Sequence, residues 1–187
     1  AGITLTISVD KVAASGGYMM ACVGDEIIAA PFAILGSIGV VAQLPNFHRL
    51  LKKNDIDFEM HTAGEYKRTL TVFGENTDKA REKFQADIDD IHLLFKDFVS
   101  SNRPGVAIEE VGTGEFWFGQ RALEKNLADR LCTSDSFLVE HLEGYDLIEV
   151  RYRAKRSWQE KLSLAAEMAV ERGFRRLLKS ERDQQFL

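Results

Sequence analysis

Val9-Asp10-Lys11-Val12-Ala13-Ala14-Ser15-Gly16-Gly17-Tyr18 is the stretch that decides the reading of this 187-residue chain. Just ahead of it, Ile3-Thr4-Leu5-Thr6-Ile7-Ser8-Val9 alternates apolar and polar residues. That is the period of a strand, with Ile3, Leu5, Ile7 and Val9 on one face. Residues 15–23 then read as a short helix opening at Ser15. A serine at a strand-to-helix turn can present its hydroxyl as a nucleophile. The backbone N–H of Gly16, at the helix N-terminus, can face a developing oxyanion. Gly17 leaves room for a substrate backbone to come close.

A serine hydroxyl needs a base within hydrogen-bond reach. The four histidines offer little. His48, His92 and His141 fall on expected helices among charged residues and read as solvated surface groups. His61 ends an expected strand without a carboxylate partner. Lys67, in Ala63-Gly64-Glu65-Tyr66-Lys67-Arg68, is the alternative, because lysine serves as a base when burial and neighbours suit it. Tyr66 and the strand ending at His61 would supply an apolar setting, and Ser37 in Gly36-Ser37-Ile38-Gly39 would orient the amine. Each residue also has a plainer reading. Ser15 suits a helix cap, Lys67 a solvated surface and Ser37 a turn, and spacing alone does not choose.

The rest of the chain reads as α/β. Residues 26–30 form a short strand stopped by Pro31, and residues 38–42 a buried strand. Asn46 caps a helix carrying Phe47, Leu50 and Leu51, and Ile56, Phe58 and Met60 alternate as a strand. Thr77 caps a long helix to about Asn102, with an apolar stripe of Ala80, Phe84, Ile88, Ile91, Phe95 and Phe98. A short helix at 107–111, a strand or turn at 116–118, a helix from Gly119 to about Asn126 and one from Ser134 or Asp135 to about Glu143 follow. Residues 147–152 read as a last strand. Leu70, Val72 and Phe73 either pack on the fold or wall a substrate groove.

Net charge is −5 and the sequence pI about 5.5, which argues against nucleic acid as the main partner. Composition, 45% hydrophobic and 28% charged, suits a soluble globular protein with a sizeable core. Cys22 and Cys132 stand too far apart for a metal or disulfide framework, and Cys22 reads as a buried thiol. No run of 18 apolar residues is present, so no segment is expected to span a membrane. The strand at 3–9 begins without cap, turn or partner, which leads to the expectation of a piece of a longer protein. Residues 153–187 form a basic amphipathic tail with Arg172, Arg175, Arg176 and Lys179 near its end. It is read either as a helix packed on the domain or a neighbouring subunit, or as an interfacial helix meeting anionic lipid.

Four motifs in order resemble the signal peptide peptidase A family: residues 9–18, Ala30-Pro31 with Gly36-Ser37-Ile38-Gly39-Val40, Gly64-Glu65-Tyr66-Lys67-Arg68, and Trp117-Phe118-Gly119-Gln120-Arg121-Ala122-Leu123 with Leu127-Ala128-Asp129. Val41-Ala42-Gln43-Leu44-Pro45-Asn46-Phe47 and His61-Thr62-Ala63-Gly64 are most similar to its SohB branch. The resemblance covers residues 1–152 and implies the C-terminal portion of a catalytic domain with a ClpP/crotonase-like fold of stacked ββα units, its N-terminal part missing. It implies a serine endopeptidase that needs neither metal nor cofactor, with Ser15 as nucleophile, Lys67 as general base, Ser37 as lysine-orienter and Gly16 as oxyanion donor. It further implies hydrophobic peptide substrates, such as cleaved signal peptides, or membrane-associated proteins. The parent is expected to be a homo-oligomer anchored in the bacterial inner membrane, facing the periplasm. The family's second oxyanion donor lies upstream of this chain, so the 187 residues alone are expected to be nearly inactive. Two other classes stay open: a non-catalytic scaffold or binding subunit of a membrane complex, and a crotonase-like acyl-CoA enzyme.

Overall fold

Two short strands meet at the chain's first motif: Thr6–Val9 (β1) and Val12–Ala14 (β2), joined through Asp10 and Lys11 and followed directly by helix α1 (Gly16–Ala21). A second pair, Glu26–Ala29 (β3) and Ile34–Gly36 (β4), repeats the first. In the computed structural model, which describes residues 2–152, β1 lies parallel to β3 and β2 parallel to β4. Each pair of neighbours therefore adds one strand to each of two three-stranded sheets. The sheets are completed by Arg130–Leu131 (β6), parallel to β3, and Phe116–Phe118 (β5), antiparallel to β4.

The helices are α2 (His48–Lys53), α3 (Asp78–Asn102), α4 (Ile108–Val111), α5 (Gly119–Glu124) and α6 (Ser134–His141). The mixed α/β class agrees with the sequence pattern. β3 is a continuous apolar run because both its faces are covered: Ile27, Ile28 and Ala29 are fully buried. Tyr18, Leu35, Ile38, Val99, Val111 and Leu127 join them in the core, each large apolar side chain stabilising the fold by roughly 1.5–3 kcal/mol. Cys22 and Cys132 are both buried free thiols. Thr77 caps α3, its hydroxyl accepting from Ala80 N at 3.2 Å.

Several expected elements differ. The strand placed at 38–42 is instead β4, which ends at Gly36. Gly36 (φ 98°) and Ser37 (φ 51°) are left-handed and turn the chain out of the ladder. β2 and β6, of three and two residues, were too short to show a period. Residues 56–60 alternate but join no ladder among the described residues; Phe58 instead meets Phe73 with ring centroids 5.8 Å apart. The apolar stripe of α3 is rotated, with Phe95 and Val99 buried while Ile91 and Phe98 stay exposed. Asn46 does not cap α2 at the expected position, which Phe47 occupies, though its Oδ1 accepts from His48 N. Thr133, rather than Ser134 or Asp135, caps α6, because the Asp10 carboxylate accepts from both the backbone and the hydroxyl of Ser134.

The chain divides into two units, Ala1–Tyr145 and Asp146–Leu187. Of the second, residues 146–152 carry no strand, so the strand expected at 147–152 is absent; these residues are exposed and take part in no ladder among the described residues. The tail from 153 lies outside the described residues. No helix among those described is long and apolar enough to cross a membrane.

One polar node ties the motifs together. Arg103 donates to both carboxylate oxygens of Asp129 (2.6 and 2.8 Å), and Asp129 also accepts from Ile27 N at 2.7 Å. Beside it, the buried Tyr18 hydroxyl donates to Leu127 O at 3.0 Å, and burial pushes its pKa well up. Burial opposes ionisation of Asp129, but the Arg103 and Ile27 hydrogen bonds outweigh it and hold the carboxyl below its ordinary value. A depressed carboxylate stabilises the fold above its unfolded value, near pH 4, and that contribution is lost as pH falls through the folded value. Asp129→Asn should therefore destabilise the protein at pH 7 by on the order of 2 kcal/mol, moderated because the side chain keeps 37% exposure. Thermal melts at pH 7 and pH 3 check this, the gap between variant and wild type narrowing at the lower pH.

Candidate active site

Ser15 stands where α1 begins, with backbone angles φ 52° and ψ −122°. A residue capping a helix normally sits in the β region with its side chain bonded to the first turn. Ser15 does neither: its hydroxyl makes no capping hydrogen bond. A left-handed backbone at a non-glycine residue costs of order 1–3 kcal/mol and persists only where the surroundings enforce it. Here Ser15 N donates to Gly36 O at 2.8 Å, while Ser15 O accepts from Tyr18 N and Met19 N. The helix-cap reading of Ser15 therefore fails on geometry.

Gly36 leads straight to Ser37, which is also left-handed and half-buried. Ser37 N donates to Glu115 O at 2.7 Å, and Gly39 N donates to Ser37 O at 3.0 Å. Gly39 lies so close to the next loop that a Cβ there would be 2.8 Å from the Gly114 Cα. Ser15, Gly16 and Ser37 thus border one cleft of about 730 Å³, walled by Met19, Val40, Val41, Ile91 and Phe95, with His92 at its side. The N–H of Gly16, in the first turn of α1, has no intrahelical acceptor by position. A Cβ built on Gly16 or Gly17 would meet nothing within 4 Å, so packing does not account for either glycine.

Lys67 is placed elsewhere. It lies exposed on the turn closed by its own N–H donating to Gly64 O at 3.2 Å, and it does not line the Ser15 cleft. That turn rests on α3 through surface contacts. Glu65 accepts from Lys79 at 2.7 Å, and this hydrogen bond holds the Glu65 carboxyl below its ordinary value. Lys83 lies 5.7 Å from the Tyr66 ring centroid and pairs with Asp87. Exposed pairs of this kind are screened by solvent and contribute little.

His61 is exposed beside Glu59 and borders a second cleft, of about 470 Å³, with Phe58, Leu70, Val72 and Phe73. His92 corrects the sequence reading. It is half-buried against the Ser15 cleft and bonds Ile38 O at 3.1 Å, rather than standing in solvent. Its partner is a backbone carbonyl far away in sequence, which no local pattern marks.

Several proteins are similar to this chain in sequence. The chain is 56% identical over 166 residues, 89% of its length, to "Probable protease SohB" of Haemophilus influenzae, covering 47% of that protein. It is 66% identical over 137 residues to "Probable protease SohB" of Buchnera aphidicola subsp. Schlechtendalia chinensis (73% of this chain, 45% of that one). It is 35% identical over 136 residues to "Putative protease slr0021" of Synechocystis (71% and 49%). The chain spans about half the length of the curated relatives it matches. The model of Peptidase family S49 matches residues 1–146, which takes in every strand and helix from β1 to α6 together with Ser15, Ser37 and Lys67, and the chain belongs to that family.

Proposed function

We propose that the full-length protein is a serine endopeptidase in which Ser15 is the nucleophile and Lys67 the general base. The observation that carries this is the backbone of Ser15: a strained serine at a helix start whose hydroxyl is left out of capping and faces a cleft. Strain retained without a structural use is what a positioned nucleophile requires.

In this reaction Ser15 Oγ attacks the substrate carbonyl carbon while its proton passes to Lys67 Nζ. The oxyanion is held by the Gly16 N–H. Collapse breaks the C–N bond, and the Lys67 ammonium returns the proton to the leaving amine. A water then attacks the acyl ester, losing its proton to Lys67, and releases the acid and the Ser15 hydroxyl. Lys67 reaches Ser15 when its turn is repositioned in the complete enzyme, a small cost because the pairs that hold it to α3 among the described residues are exposed. Ser37, which borders the same cleft beside Ser15, receives the Lys67 amine and orients it.

The apolar walls given by Met19, Val40, Val41 and Phe95 support hydrophobic peptides as substrates, including residual signal peptides and membrane-associated proteins. The strand order, with β1β2 repeated by β3β4 in parallel register, supports a ClpP/crotonase-like stack. A homo-oligomer at the periplasmic face of the inner membrane completes the proposal.

The distance of Lys67 from the cleft favours the other reading, a binding subunit without catalysis. Turnover of an apolar peptide by the full-length protein separates them, and Lys67→Ala then tests the base. A general base contributes about 10²–10⁴ in rate, so kcat for an apolar peptide should fall by that factor with the fold intact. Near-normal turnover by Lys67→Ala removes Lys67 from the mechanism.

A further inference from the structure

We propose that His92 is a positioning residue for this site, a role that rests on Ser15 being the nucleophile. The left-handed pair Gly36 and Ser37 forms the end of β4 and the turn that follows it beside the cleft. Gly36 O holds the Ser15 N–H at 2.8 Å, so the attitude of Ser15 depends on where residues 36–39 sit. On one side they are fixed by Glu115 O, which accepts from Ser37 N at 2.7 Å. On the other, β4 has ended and Ile38 belongs to no ladder.

His92 adds a hydrogen-bonded backbone anchor there. It projects from α3, and its Nε2 stands 3.1 Å from Ile38 O. A carbonyl only accepts, so Nε2 carries the hydrogen and donates. Among the described hydrogen bonds this is the one partner of the Ile38 carbonyl, whose own residue is fully buried. α3 is a 25-residue helix, anchored in the core by Phe95 and Val99 just beyond His92. The bond therefore ties the turn that carries the strained Ser37 to a long helix packed in the core. Without it, residues 36–39 relax toward less costly angles and carry the Gly36 carbonyl, Ser15 and Ser37 with them. A displacement of about 1 Å at a reacting centre costs up to about 100-fold in rate.

The test uses the full-length protein and an apolar peptide, with kcat expressed per folded molecule and KM and Tm measured alongside. In His92→Leu the donor is lost, and kcat should fall about tenfold or more at little-changed KM. His92→Gln places an amide N–H where the imidazole Nε2 was, and should stay within about threefold of wild type. His92→Asn keeps a polar side chain that stops short of Ile38, and should behave like His92→Leu; it serves if the leucine variant fails to fold. Full turnover in the leucine or asparagine variant overturns the proposal. So does a glutamine variant as impaired as the leucine one, or a loss accounted for entirely by unfolded protein. Ser15→Ala measured beside them separates the two claims: activity surviving there overturns the Ser15 assignment and the role of His92 with it, whereas loss there with full activity in His92→Leu overturns only the latter.

Discussion

Ser15→Ala in the full-length protein is expected to abolish hydrolysis of apolar peptides, by at least about 10⁴-fold, while leaving the fold intact. The magnitude follows from what covalent catalysis supplies: with the nucleophile gone, only binding and the oxyanion donors remain. The fold survives because the Ser15 hydroxyl caps nothing, so its loss removes no hydrogen bond that α1 needs. The backbone makes a second, opposite expectation possible. At φ 52° and ψ −122° a side chain is strained, and glycine is not. Ser15→Gly should be equally inactive yet melt above Ser15→Ala. A serine kept at a position where glycine would be more stable is retained for its oxygen. Peptide assays and thermal melts of both variants check this; activity in either, or a lower melt for Ser15→Gly, contradicts it.

Gly119→Ala should be among the most destabilising single-methyl additions in the protein, by at least about 3 kcal/mol. Gly119 opens α5 where it crosses the turn after β3, and a Cβ there would overlap Ala30 O, with Ala30 C at 3.1 Å and Pro31 C at 3.3 Å. Each opposing atom is backbone, so no rotamer change relieves the contact. The Ala30 side of the clash is fixed by Ala30 N donating to Val9 O and by Ala33 N donating to Ala30 O. Relief must come from shifting α5, which buries Ala122 against the core. Total stabilities are about 5–15 kcal/mol, so a melt lowered by roughly 6–12 °C is expected, or failure to accumulate. Gly105→Ala, where an added Cβ meets nothing within 4 Å, is the control and should change little. Equal melts for the two variants would show that α5 does not sit against Ala30 as described.

What was legible in the sequence was whatever local pattern encodes. The Ser15 turn, α3 with its Thr77 cap and the buried run of β3 each carry their signal within a few residues. The motifs named Ser15, Gly16, Ser37, Gly119 and Asp129, but the cleft that the first three border and the packing of the last two come from the structure alone. What was not legible depends on distant partners. The alternation at 56–60 and 147–152 has the strand period, but a strand needs a ladder and none is offered among the described residues. β2 and β6 are strands only because β4 and β3 stand beside them. His92 looked like one more polar residue on a charged helix, and its partner is a carbonyl 54 positions away. Lys67 carries a motif, but motif residues are brought to a site by tertiary placement, and here its turn rests on α3 outside the Ser15 cleft.

Turnover through Ser15 requires a covalent acyl-enzyme on its Oγ. The direct measurement is acid quenching of the full-length protein during turnover of an activated apolar peptide ester, followed by trypsin and fragmentation mass spectrometry. Lys11 and Arg49 bound one tryptic peptide that contains both Ser15 and Ser37, so a single peptide tests both serines. The acyl mass is expected on Ser15 and is absent in Ser15→Ala. An acyl group on Ser37, or a turning-over enzyme with no acyl group on this peptide, would contradict it.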